Sequence, residues 1–231
     1  MIQAEGIFVG GGSDISAPII GKDFNWSGGD GTYQVLEDGD GNWRIKFLSS
    51  GTFTPLRDMV IDAFLVGAGG GGTAWQVRSY YTGGGGGYTN TVYSIVLVAN
   101  TEYQIVVGAG GAGTSNNTAG SGGTSSAFGS SATGGYGAET GAGGDGGSGG
   151  GGTSSGIGGT DGSNGTGSNP GTGQGTTTRE FGESTGTLYA SGGDGIEGTM
   201  AAASNTGDGG DAKKAGGSGI VIIRKHKEAA A

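Results

Sequence analysis

The chain has 231 residues, 62 of them glycine, with no cysteine and only three prolines, Pro18, Pro55 and Pro170. Its formal net charge of −9 disfavours nucleic acid and other polyanions as partners, and the absence of cysteine removes both disulfides and thiolate metal sites. Glycine without a strict Gly-X-Y register excludes collagen, and no apolar run reaches the ~18 residues of a membrane-crossing helix.

Residues 1–31 read as a leader or attachment segment, with brief apolar patches at Ile7-Phe8-Val9 and Pro18-Ile19-Ile20 between glycine joints. No basic segment followed by a long apolar stretch opens it, so no signal peptide is expected. A hairpin follows: Thr32–Glu37, a turn at Asp38-Gly39-Asp40-Gly41, then Asn42–Leu48, where Trp43, Ile45 and Phe47 alternate with Arg44, Lys46 and Leu48. That is the period-two pattern of a half-buried strand. Ser-Gly-Thr-Phe-Thr-Pro closes the unit. MVIDAFLV at 59–66 is a strongly apolar strand that runs into glycines 67–72, with one alanine among them. A polar and aromatic loop at 73–82 leads to five more glycines at 83–87. Tyr93–Val98 and Tyr103–Val107 read as a second hairpin around Ala99–Glu102, emptying into GAGGAG at 108–113. The last strand is IVIIR at 220–224, entered from glycine and followed by a tail at 226–231.

Between Gly108 and Gly175 the large apolar residues are Phe128, Tyr136 and Ile157, and the charged ones Glu139, Asp145 and Asp161. Glycine costs about 1 kcal/mol per residue in a helix relative to alanine, and no helical period is present. Gly/Ser-rich sequence can be a flexible coil. It can also form a bundle of polyproline II-type (polyglycine II) helices at about 108–219, whose outward N–H and C=O groups pair with neighbours. Ordering this much glycine costs tens of kcal/mol, at roughly 0.5–1 kcal/mol each. Short runs of similar length, and an apolar strand returning at the end, favour the ordered bundle. The expectation is therefore an all-β domain over 32–225 with a polyglycine II region.

The segments WRIKFLSSGTFTP, VIDAFLVGAGGGG, GGGGGYTNTVYSIVLVANTEYQIVVGAGG, TREFGESTGTLYASGGDG and AGGSGIVIIR span residues 42–224. In that order they resemble the glycine-rich domain of phage and prophage tail-fibre or receptor-binding proteins. A similar strand-and-glycine arrangement occurs in the extracellular domain of anaplastic lymphoma receptor kinases. The resemblance implies an antiparallel β-sandwich carrying packed polyglycine II helices, with tip loops that touch a bacterial surface receptor, protein or polysaccharide. It also implies a virion-tail or extracellular location and a homo-oligomer, a trimer or a filament. The alternative function is a self-assembling structural subunit of a filament or appendage, using strand edges.

Other signals are weaker. Gly67, Gly69 and Gly72 fit G-x-G-x-x-G, but TAWQVRSYYT cannot supply the helix that must follow. Asp38–Asn42 starts like a calcium loop, yet Trp43 and Ser49 occupy the positions that need glycine and glutamate. The one histidine, His226, lies in the tail, so a Ser-His arrangement is not expected. Glu180, Glu183, Asp194 and Glu197 are near in sequence and read as solvated loop acids. No catalytic residue, metal or cofactor is expected. Receptor contact is assigned to Trp75, Arg78, Tyr80 and Tyr81, with Arg179 and Met200 from later loops, because exposed aromatic and arginine side chains are the usual anchors of recognition. Lys213-Lys214 marks a third candidate loop with Met200.

Overall fold

Ten strands form two five-stranded antiparallel sheets whose inner faces share one core. The structure, a computed structural model, describes residues 17–75, 80–152, 156–157, 164–165, 169, 178–196 and 201–226. The first sheet contains β2 (Tyr33–Gly39), β3 (Asn42–Phe47), β5 (Met59–Val66), β8 (Thr89–Leu97) and β12 (Ile220–Lys225), in the order β2-β3-β12-β5-β8. The β2–β3 hairpin is as expected. It turns on Asp40 and Gly41, both at positive φ, the geometry that favours Asp-Gly in two-residue hairpins. The terminal strand inserts at the centre, pairing Val221 with both Phe47 and Leu65.

The second sheet contains β1 (Phe24–Trp26), β4 (Gly51–Pro55), β9 (Tyr103–Val106), β10 (Ser125–Ala127) and β11 (Ser130–Ala132), in the order β1-β4-β9-β10-β11. Phe24, Phe53 and Ile105 from this sheet meet Ile45, Phe47, Ile61 and Ile223 from the other. Phe47 and Phe53 lie edge to face with centroids 5.5 Å apart. A second apolar cluster covers the outer face of the first sheet, where Phe64, Val66, Ile220 and Ile222 pack against Phe181, Tyr189 and Ala190. Burial on both faces explains why residues 63–66 and 220–223 are apolar without a break, instead of alternating like β3.

Four expectations change. Residues 93–98 and 103–107 are not a hairpin: β8 pairs with β5, and β9 pairs with β4 and β10. Their link crosses between sheets, with Asn100 at positive φ and its N–H donating to Pro55 O. This crossing lets Leu97 and Ile105 enter the same core from opposite sides. The second sheet begins inside the segment read as leader, since Phe24 is fully buried. The glycine-rich stretch contains the β10–β11 hairpin, turning on Phe128 and Gly129 at positive φ; Phe128 tolerates it by packing on Tyr103 and Phe53. Residues 73–82 include paired strands, β6 (Thr73–Trp75) and β7 (Tyr80–Thr82).

Beyond the strands, the glycine runs are packed side by side. Gly67 and Gly70 donate to Tyr88 and Gly85, Ala68 and Gly71 to Gly123 and Gly120, and Gly69 and Gly72 to Gly217 and Lys214, at 2.8–3.0 Å. Donors three residues apart thus reach the same neighbour. The run at 83–88 repeats the pattern: residues 83 and 86 reach Gly151 and Ser148, 84 and 87 reach Gly210 and Gly207, and 85 and 88 reach Tyr136 and Thr133. Three residues per step is the repeat of a polyproline II-type helix. Other segments donate back, with Gly111 N–H on Gly69 O, Gly210 N–H on Gly70 O and Ala138 N–H on Gly71 O. Backbone groups buried this way must be paired, and here they are paired laterally.

Glycine is required because the backbones nearly touch. A Cβ at Gly70 would stand 2.1 Å from Tyr136 O, and one at Gly84 2.1 Å from Gly70 O. Both obstacles are main-chain atoms of a neighbouring run, which cannot rotate aside.

Candidate functional site

The register of the glycine runs defines two ends. At one end residues 67, 88, 108, 123 and 219 join the sandwich strands. At the other, Gly72 N–H donates to Lys214 O, Thr114 N–H to Gly72 O, Ala138 N–H to Gly71 O and Gly83 N–H to Gly151 O, all at 2.9–3.0 Å. The segments beside these residues are therefore gathered at the far end: 73–75 with 80–82, 114–118, 139–142 and 211–214.

The β6–β7 hairpin stands on buried threonines. Thr73 Oγ1 donates to Asn116 O, and Thr82 Oγ1 to Glu139 O at 3.0 Å. Trp75 pairs with Tyr80 across it, and Ala74 with Tyr81. Tyr81 is partly exposed, and Lys213 Nζ lies 5.9 Å from its ring centroid. Two loops separated by more than a hundred residues thus meet at this end. Arg78 and Met200 lie outside the described residues. The loops Thr114–Thr118 and Glu139–Ala142 join the same end and were missed in the sequence reading. Their signal is polar residues, TSNNT and AETGA, interrupting glycine.

Arg179 is placed elsewhere. It belongs to the 178–190 excursion over the outer face of the first sheet, bridges to Leu188, and donates through Nη1 to Gly186 O. Its neighbours Glu180 and Glu183 are not solvated acids. Arg44 contacts Glu180 Oε2 at 2.6 Å, Glu183 Oε1 at 2.7 Å and Asp38 Oδ2 at 2.6 Å. Lys46 and the Tyr189 hydroxyl also donate to Glu180. Burial alone would raise the Glu180 pKa, but these three donors outweigh it and hold the carboxyl below its ordinary value. Tyr189 is shifted far upward, first by burial and then by Glu180. A glycosidase acid needs a raised pKa, so Glu180 has the wrong electrostatics for that role. Arg224 stacks 4.2 Å from the Phe181 ring centroid and ties Glu183 to Asp62. The cluster is a clamp between excursion and sheet. Asp194 lies in another place, beside Asp211, and burial followed by that neighbouring charge raises its pKa. Glu197 lies outside the described residues.

His226 departs from the reading of 226–231 as a free tail. Its N–H donates to Val60 O, its Nδ1 lies 2.6 Å from Asp62 Oδ1, and its Nε2 lies 3.1 Å from Ser94 Oγ. A Ser94–His226–Asp62 chain of contacts therefore exists, with Ser94 at φ +58 on the bulge of β8. An oxyanion hole commonly uses the amide at or beside the nucleophile. The Ser94 N–H already donates to Asp62 Oδ1, and Asp62 also holds Arg224. The arrangement fastens the end of the terminal strand to the bulge.

A search of curated proteins finds no match to the chain. The model of a family described as a glycine-rich domain matches residues 48–226, from just after β3 to the residue that follows β12, and so takes in most of both sheets and all the lateral glycine runs. On that match, the chain belongs to the glycine-rich domain family.

Proposed function

We propose that the protein is a receptor-binding module of a phage tail tip or fibre, or a like adhesin at a cell surface, acting by contact and without chemistry. One observation carries this reading: turns bearing side chains are gathered at the end of a glycine array furthest from the sandwich. A platform with little side-chain freedom loses little entropy when a partner settles on it. Tyr81, Lys213 and the polar loops at 114–118 and 139–142 supply varied contacts there; Trp75, Arg78, Tyr80 and Met200 are assigned as further anchors from the sequence alone. The partner is a bacterial surface receptor, and the tip works as a homo-oligomer, as a trimer in a tail. The test is binding of the full chain to a panel of bacterial cells. Replacing Trp75, Tyr80 and Tyr81 by alanine should abolish binding and leave the unfolding midpoint unchanged; undiminished binding removes this site.

A filament subunit is favoured by one feature, the edge strand β8 and the loop after it, where Val96 and Val98 are 67 % and 54 % exposed. Such an edge can accept a strand from another copy. Size-exclusion chromatography at several concentrations separates the two readings: open-ended growth marks a filament subunit, a closed species a tip.

A further inference from the structure

Six residues between Gly108 and Gly175 are large and apolar or charged: Phe128, Tyr136, Glu139, Asp145, Ile157 and Asp161. Phe128 packs on the sandwich core, and Asp161 lies outside the described residues. The other four line a single groove of about 420 Å³ on the flank of the glycine array, with Thr118 and Ser121 beside them. In a stretch so poor in side chains, their meeting at one place is the observation to be explained. The volume falls within the ~300–1,000 Å³ of small-ligand sites.

The groove is held rigidly. Tyr136 N–H donates to Asp145 O at 2.8 Å and Tyr136 O accepts from Gly85 at 3.0 Å. Asp145 Oδ1 accepts from Ile157 N–H at 2.7 Å, and Gly146 N–H donates to Ile157 O at 3.1 Å. Tyr136 is nevertheless 57 % exposed and Ile157 62 %, so backbone bonds hold two apolar side chains out in solvent. Glycines 137, 143 and 144 also line the groove.

We infer that this groove binds a short stretch of an uncharged surface polysaccharide; the inference rests on the adhesin reading and names its ligand. The electron-rich face of Tyr136 attracts the polarised C–H bonds of a sugar ring. The carboxylates of Glu139 and Asp145 accept hydrogen bonds from sugar hydroxyls, and charge-assisted bonds are the stronger kind. Among the described residues no lysine or arginine lines the groove, so phosphorylated or uronic-acid glycans are repelled. The groove starts at the 118 and 139 turns, so a glycan lying in it continues onto the far-end loops.

The test uses the full chain and cells that it binds, presented intact, after periodate oxidation of vicinal diols, or after protease stripping. Periodate should weaken binding at least tenfold, and protease should leave it within twofold. Tyr136→Ala and Glu139→Gln should each weaken binding to intact cells about tenfold or more, with unfolding midpoints unchanged. Loss of binding on protease treatment would show a protein partner and overturn the inference. Wild-type binding by Tyr136→Ala would overturn it too, while leaving the adhesin reading in place. Failure of the wild-type chain to bind any cell would remove both.

Discussion

The sandwich and the glycine array solve the same problem by opposite means. In the sandwich, Phe24, Phe47, Phe53, Ile45 and Ile223 fill the space between sheets, and the backbone pairs within each sheet. In the array there is almost nothing to fill the space, so the backbones close up until each run bonds to several neighbours. Burial of apolar area stabilises the first region at about 25 cal/mol per Å². The second depends on lateral hydrogen bonds, each of net worth ~1 kcal/mol, offsetting the high ordering cost of glycine. The sandwich therefore tolerates repacking, whereas the array tolerates no added atom where a glycine faces a neighbouring backbone, as at Gly70 and Gly84.

The largest effect should come from adding that atom. Gly70→Ala places Cβ 2.1 Å from Tyr136 O, forcing runs apart and breaking several lateral bonds. We expect a loss of about 5 kcal/mol or more, from overpacking plus lost bonds, read as a lower urea midpoint or no folded protein. In the sandwich the damaging change is the reverse. Phe53→Ala should cost about 3–5 kcal/mol by leaving a cavity, in the same urea experiment. If Gly70→Ala proves as mild as a surface substitution, the contrast between the regions fails.

The excursion and the array should also answer pH with opposite signs. Glu180 has a lowered pKa, so its stabilisation is present above the ordinary glutamate range and is lost as pH falls through the lowered value. Asp208, within the array, has a raised pKa, chiefly from burial, against hydrogen bonds from Ser191, Thr206 and Ala190. Its contribution is present below the ordinary aspartate range and is lost as pH rises through the raised value. Glu180→Gln should cost about 3 kcal/mol at neutral pH, as the breaking of a buried ion pair does, and should flatten the loss on the acid side. Asp208→Asn keeps an oxygen for Ser191 N–H and should change neutral stability by less than about 1 kcal/mol, while flattening the opposite slope. Unfolding midpoints followed between about pH 3 and 7 would show both.

A smaller effect than at Gly70 belongs to a glycine outside the array. A Cβ at Gly129 meets nothing within 4 Å, and only its φ of +75° disfavours alanine. Gly129→Ala should cost roughly 1–2 kcal/mol by the same unfolding measurement. A difference of severalfold between positions 70 and 129 would isolate close approach from backbone conformation.

Some of this was legible from one dimension. The alternation of Trp43, Ile45 and Phe47 marked β3, and the strongly apolar segments at 59–66 and 220–224 marked strands, though not that both of their faces are covered. The Asp-Gly turn marked the first hairpin. Pairing was not legible for β8 and β9, because a short polar link between strands serves a hairpin or a crossing between sheets equally well. For the candidate site, 73–82 was visible as aromatic residues between glycine arrays. The polar turns at 114–118 and 139–142 were not, since their importance comes from sharing an end with that hairpin. His226 looked like part of a free tail because its partners, Asp62 and Ser94, are more than 130 residues away.

Composition alone determined that most of this chain could not be held by side chains, and the short, similar glycine runs set the length over which backbones can lie together. Both are local properties, present before any two segments meet. Only the tertiary structure decided which run bonds to which, which turns share the far end, and that Tyr136, Glu139, Asp145 and Ile157 line one groove. Nearly identical glycine segments carry no address in their side chains. Their neighbours are chosen by the strands that lead into them, and those are sorted by apolar packing in the sandwich.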